Sequence, residues 1–192
     1  MPGNVPVGDA SSISLGAMRV YIGAVGSTPT TDIGYLGADG LSFEITQETL
    51  DVLQGTPQAR VKSFVIRKDV SISFSTIQWN LKALEGLVAG SYVTATTETA
   101  ETLWLTVDPC TRESAIRLEH DLACSTGVGD AGKLYIDIFR AQPTGSVSIS
   151  FGADSVHEFP NEWQALIANT DWAGGAITGG AMGRIVYKAP LP

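Results

Sequence analysis

Apolar and polar residues alternate with period two in several short runs of this chain, and one run carries helical spacing instead. GLSFEIT sets Leu41, Phe43 and Ile45 against Ser42, Glu44 and Thr46. DVSISFST sets Val70, Ile72 and Phe74 against Ser71, Ser73 and Ser75. Period two over such lengths predicts half-buried antiparallel strands. Between them the stretch from Gln47 to Lys62 reads as a long polar loop, with Gly55 and Pro57 at its middle. Loops beyond roughly 12–15 residues are usually functional or disordered. Backbone on such an excursion needs hydrogen-bond partners in water or in another chain, which suits contact between subunits better than catalysis. Directly afterwards Ile77, Leu81, Leu84, Leu87 and Val88 share one side at helical spacing, with Gln78, Asn80, Lys82 and Glu85 opposite. A helix is expected here, capped by Ser75 or Thr76, stopped at Gly90 and packed on a sheet.

After Gly90 the strand pattern returns in SYVTATT, TLWLTVD, SAIRLEH and KLYIDIF. DPCTRE and GDAG supply turns between them. SVSISFG repeats the serine/apolar alternation of residues 70–75, in a run too short to establish a repeat. EWQALIA reads as a helical turn or a strand end. WAGGAITGGAMG follows, and RIVYK is the last expected strand. Seven or more short strands with one helix predict a mainly β fold: a β-sandwich or barrel-like domain with one flanking α-helix and a long strand-connecting loop. The expectation is a single domain over 1–192. A Gly/Pro/Ser-rich arm precedes it over about 1–16, and a Gly/Pro-bearing extension covers about 173–192, whose 173–183 part is the one plausible linker.

Composition adds limits. Hydrophobic content of 44% and charged content of 17% in 192 residues describe a globular chain with enough apolar surface for one core. The opening MPGNVPVGDASSIS has neither a basic start nor a continuous apolar core, so no signal peptide or membrane anchor is expected. Formal net charge is −8, which disfavours tight nucleic-acid binding by counterion release. Charge is uneven: residues 1–59 hold Asp9, Asp32, Asp39, Glu44, Glu48 and Asp51 against Arg19, whereas residues 60–68 hold Arg60, Lys62, Arg67 and Lys68 without an acid. That basic run is either a solvated strand face or a surface for an acidic partner. Cys110 and Cys124 are expected to be reduced and partly buried.

No catalytic constellation emerges. GVGDAG at 127–132 has dinucleotide-loop spacing, but KLYIDIF after it is a strand, and the motif needs a helix to present its N–H groups. His120, Cys124 and Cys110 fall short of the four convergent ligands of a zinc site. Asp137 and Glu119 are spaced as solvated strand faces rather than as a glycosidase pair. Of the tryptophans, Trp104 reads as core, and Trp79 and Trp163 as buried or interfacial. Trp79, Trp104, Trp163 and Trp172 keep open a carbohydrate- or receptor-binding β-sandwich. No catalytic residue, metal ligand or cofactor is assigned.

Taken in order, DIGYLGADGLSFEI, GTPQARVKSFVIRKDVSISFSTIQWNLKALEGLVAG and KLYIDIFRAQPTGSVSISFGADSVHEFPNEWQALIA resemble the tail tube (major tail) proteins of long-tailed bacteriophages. The N-terminal arm and the chain beyond about residue 172 lie outside the resemblance. It implies a non-enzymatic virion protein, assembled in the host cytoplasm, whose six-membered rings stack into a tube. DNA passes through the lumen without specific binding. The implied partners are other copies of the chain and the tape measure, tail terminator and tail tip or distal tail proteins. Loop 47–62 then becomes the inter-ring element, with Glu48, Asp51, Gln54, Arg60 and Lys62 as its contact residues.

Overall fold

A computed structural model describes residues 18–77, 80–87, 91–94, 101–105, 112–121, 132–144 and 158–188. The N-terminal arm, Trp79, Gly90, Cys110, Cys124, His157, most of GVGDAG and the SVSISFG run lie outside the described residues.

The fold is mainly β, with antiparallel pairing throughout the described ladders. Twelve strands occur among the described residues: β1 (Arg19–Ala24), β2 (Thr31–Asp32), β3 (Leu36–Gln54), β4 (Ala59–Thr76), β5 (Ser91–Thr94), β6 (Glu101–Trp104), β7 (Ser114–Asp121), β8 (Lys133–Pro143), β9 (Phe159–Ala165), β10 (Ala168–Thr170), β11 (Ala176–Ala181) and β12 (Gly183–Lys188). The main sheet runs β2-β1-β7-β8-β9-β4-β3, with β12 joined to β8. Strand β8 is where it forks. One edge of β8 pairs with β7, while the other pairs with β12 over Lys133–Ile138 and with β9 over Ala141–Pro143. Gly183 opens β12 opposite Ile138, and a Cβ there would lie 2.3 Å from the Asp137 carbonyl oxygen. Only glycine permits this approach.

The expected alternation produces the core. Val20, Ile22, Ile116, Leu118, Ile136, Ile138, Ile72, Phe74 and Trp163 gather on one face, joined by partly buried Leu41 and Phe43. Successive residues on a strand point to opposite faces, so Tyr135, Asp137 and Phe139 of β8 face a second layer. There Phe139 meets Trp172 edge to face at 5.7 Å, beside Ala115 and Ala168. Asp137 lies in the same layer with 1% exposure. Arg117 opposes it from β7 and donates to both carboxylate oxygens, at 2.9 and 3.3 Å. Arg184 opposes it from β12 and donates at 2.9 Å. The Arg117 guanidinium also stacks on Trp172 at 4.6 Å. Asp137 thus ties three strands together and is not a solvated face.

Several expectations are corrected. The chain from 47 to 62 is not a loop: β3 continues to Gln54 and β4 begins at Ala59, leaving only residues 55–58 as a turn. Along one edge its backbone is paired within the hairpin itself. Segment 173–183 is no linker, because β11 pairs with β10 and the Asp171 carboxylate accepts the N–H groups of Ala173 and Gly175 to shape the turn. Of the two readings of EWQALIA the strand end holds: Glu162–Ala165 close strand β9, with Phe159, Asn161, Trp163 and Ala165 inward, and Ala168 opens β10. Pro160 is tolerated because β8 flanks β9 only from Trp163 onward. A helix, α1, spans Leu81–Leu87. Neither Ser75 nor Thr76 caps it, since both are held in the ladder opposite Pro160 and Phe159. Asn80 precedes it instead, giving its carbonyl to the Leu84 N–H and its side-chain amide to the Asp32 carbonyl at 2.8 Å. Leu84 is buried, and Glu85 accepts from the Tyr92 N–H and from Arg112. Trp104 is not core but 62% exposed, whereas Trp163 and Trp172 are buried.

Candidate functional site: the long hairpin and the cleft at its base

Strands β3 and β4 form a hairpin whose two halves differ. In the proximal half Leu41, Phe43 and Ile45 stand opposite Phe74, Ile72 and Val70, and of the β3 residues Leu41 and Phe43 pack on the core. In the distal half β4 is exposed at every residue from 59 to 68. Strand β9 accompanies β4 only along Ser71–Thr76. Beyond that point the hairpin is a two-stranded ribbon with no other strand of the described chain beside it.

Along β3 the apolar residues pass from one face to both. Pairing runs one-for-one along β3 from Leu41 to Gln54, whereas β4 skips Ile66 and Val61 in two bulges. Odd positions of β3 therefore stay on the core-side face to the tip, and even positions on the far face. Distally apolar residues occupy both faces: Leu50, opposite Phe64, and Val52, opposite Lys62, at even positions, and Leu53, with Val65 opposite Thr49, at odd ones. Leu50 is 56% and Phe64 45% exposed, and Leu53, Val61, Val65 and Ile66 are exposed as well. Leu50, Val52 and Phe64 thus form a water-facing apolar row on the side away from the protein's own core.

All five residues expected at the contact fall on this distal ribbon. Asp51 and Arg60 meet within it, at 2.7 Å. The Lys62 ammonium sits 4.6 Å over the Phe64 ring. Glu48 opposes Arg67, and Gln54 opposes Ala59 beside the turn. Sequence reasoning selected these charged and polar residues and passed over Leu50, Val52, Phe64, Val65 and Ile66. The signal was available in ETLDVLQ, where Leu50 and Val52 occupy even positions after the odd Leu41, Phe43 and Ile45.

A cleft of about 490 Å³ opens at the hairpin base, where β12 diverges from β4 and β3. Phe43, Ile45 and Val70 line one side, and Ile136, Ile138 and Ile185 the other, with Lys68 and Arg184 among the lining residues. Elsewhere, Arg140 donates to both carboxylate oxygens of Glu113. This holds the Glu113 carboxyl below its ordinary range, chiefly through the hydrogen bond. Lys133 bonds Glu119 and lies near Asp121, which raises its ammonium well above the usual lysine range, the Glu119 hydrogen bond contributing most. Among the described residues no group of three or more His, Cys, Asp or Glu is placed to hold a metal ion, and no helix is long and apolar enough to cross a membrane. No protein-family model matches the chain, and no curated protein matches it.

Proposed function

We propose that this chain is a structural assembly protein, the subunit of stacked six-membered rings that form the tail tube of a long-tailed phage or a related particle. The observation that carries the reading is the distal hairpin. An isolated two-stranded ribbon is at best marginally stable in water, and long exposed apolar edges invite pairing with another chain. Strand β3 is a 19-residue edge strand with exposed Leu50, Leu53 and Ile45. Such a strand is consistent with a surface that is covered on assembly.

In this reading the forked sheet supplies the wall of the ring, and the hairpin reaches an adjacent subunit. Arg60 is internally compensated by Asp51, so the hairpin brings mainly apolar contact, with Glu48, Lys62 and Gln54 setting register. The net charge of −8 keeps passing DNA from adhering to the assembly. The tape measure, terminator and tip proteins are the further partners this role requires.

Negative-stain electron microscopy of the purified chain over a concentration series, with light scattering alongside, tests the proposal. Rings or hollow tubes of uniform diameter are the expected result. A second reading, a carbohydrate-binding module, is favoured by the exposed Trp104 ring on β6. A chain that stays monomeric at every concentration and binds a glycan through Trp104 overturns the assembly reading in its favour.

A further inference from the structure

We propose that the cleft between β12 and the hairpin base receives the distal hairpin of a second copy of this chain, with that copy's β3 lying along the free edge of β12. The inference rests on the self-assembling reading above and specifies the surface that the hairpin meets.

Three observations converge. The first is shape and polarity. The apolar row Leu50, Val52 and Phe64 points away from its own core, so its own body cannot cover it, and the cleft offers apolar walls including the exposed Ile185.

The second is charge. Lys68 in the cleft has no ion-pair partner among the described residues. The cleft is therefore left with uncompensated positive charge. Glu44 and Glu48 stand on the same row of β3 as Leu50 and Val52, and neither has an ion-pair partner among the described residues. The two acids that lack a cation and the lysine that lacks an acid thus lie on the two surfaces proposed to meet. Complementarity of this kind sets register and partner choice.

The third is the backbone. Among the described residues β12 pairs only with β8, and β3 only with β4, so each keeps one row of N–H and C=O groups without a described strand opposite. Laying one edge on the other satisfies both. Hairpin and cleft are different surfaces, so the contact is head-to-tail and repeats from copy to copy.

The test uses the full chain. One preparation carrying Leu50→Cys is mixed with another carrying Ile185→Cys, and cross-linked peptides are identified by mass spectrometry. The parent chain, with its native Cys110 and Cys124, is the control, and Leu50→Cys mixed with Val25→Cys is a second. Leu50, Val25 and Ile185 are all solvent-exposed, so these variants keep the fold. The expected result is a 50–185 link between copies well above either control. In parallel, Lys68→Glu weakens self-association in sedimentation about tenfold or more, and adding Glu48→Lys restores it. Absence of the link, or a charge swap without rescue, overturns the inference. Tubes that form without either result leave the tube reading standing and remove this contact. A link and rescue in small oligomers that never become tubes do the reverse.

Discussion

At the scale of single residues, the most consequential side chain is Asp137. It is 1% exposed and bonded by two arginines from flanking strands. Breaking a buried pair from one side leaves charge without compensation, which costs about 3–5 kcal/mol when both partners are buried. Arg117 and Arg184 are themselves 23% and 47% exposed, so water screens part of the loss. Asp137→Ala should destabilise the fold by about 3 kcal/mol in urea unfolding. Arg184→Met, which leaves Arg117 on the carboxylate, should cost about 1 kcal/mol. Equal effects from the two would mean that Arg184 carries the whole of the pair and Arg117 adds nothing to it. Glu113 makes a separate, pH-dependent contribution. Its carboxyl is held below the ordinary value of 4.5 by Arg140. The stabilisation is therefore fully present above pH 4.5 and fades as pH falls through the lower folded-state value. Glu113→Gln should lower stability at neutral pH and converge with the parent chain at acid pH, which flattens the acid limb of a stability-against-pH curve.

At the scale of elements, the long hairpin joins a proximal half that builds the core to a distal half that contributes nothing to it. The apolar cluster takes Val70, Ile72 and Phe74 from β4 and nothing from positions 59–69. Replacing residues 48–67 by Asn-Gly between Gln47 and Lys68 should leave a folded chain with near-native unfolding, because a two-residue turn suits the remaining antiparallel pair. The same deletion should abolish self-association in light scattering. Loss of folding would show that the ribbon stabilises the monomer, contrary to its exposure. The sequence was readable wherever one face of a strand met the core. Arg19–Ala24, Ser114–Asp121, Lys133–Pro143 and Gly183–Lys188 all declare themselves by alternation or by β-branched content. The distal hairpin was not, for two physical reasons. Bulges at Ile66 and Val61 break period two in β4, since each extra residue reverses the parity of those beyond it. Without a core to fill, residues 47–54 obey no single apolar phase. Strand β9 was obscured by Pro160, which marks a strand end in sequence and is accommodated here because β8 does not reach it. The fork at β8, and with it the cleft, depends on which strands pair, and no local pattern encodes that.

At the scale of the whole molecule, the question is which force dominates association through the hairpin. Fully burying a leucine, valine or phenylalanine side chain is worth roughly 1.5–3 kcal/mol. An exposed ion pair contributes about 0–1 kcal/mol. Leu50, Val52 and Phe64 together therefore outweigh the charges at the tip, which act on register and rate more than on affinity. The substitutions separate the two. Leu50→Ser with Phe64→Ser should leave monomer stability within about 0.5 kcal/mol, because both side chains already face water, yet remove association at every salt concentration. Lys62→Glu should weaken association more at low salt than at 1 M, where the screening length shrinks to about 3 Å. Arg60→Glu differs again. It places two acids together within one hairpin by removing the Asp51 partner, so part of its effect is a distorted tip. Its deficit should persist at high salt, and Asp51→Arg in the same chain should recover it by restoring the pair in reverse. If Arg60→Glu and Lys62→Glu instead showed the same salt dependence and Asp51→Arg rescued nothing, the Arg60–Asp51 pair would not shape the tip, and Arg60 would have to meet its acid on another copy.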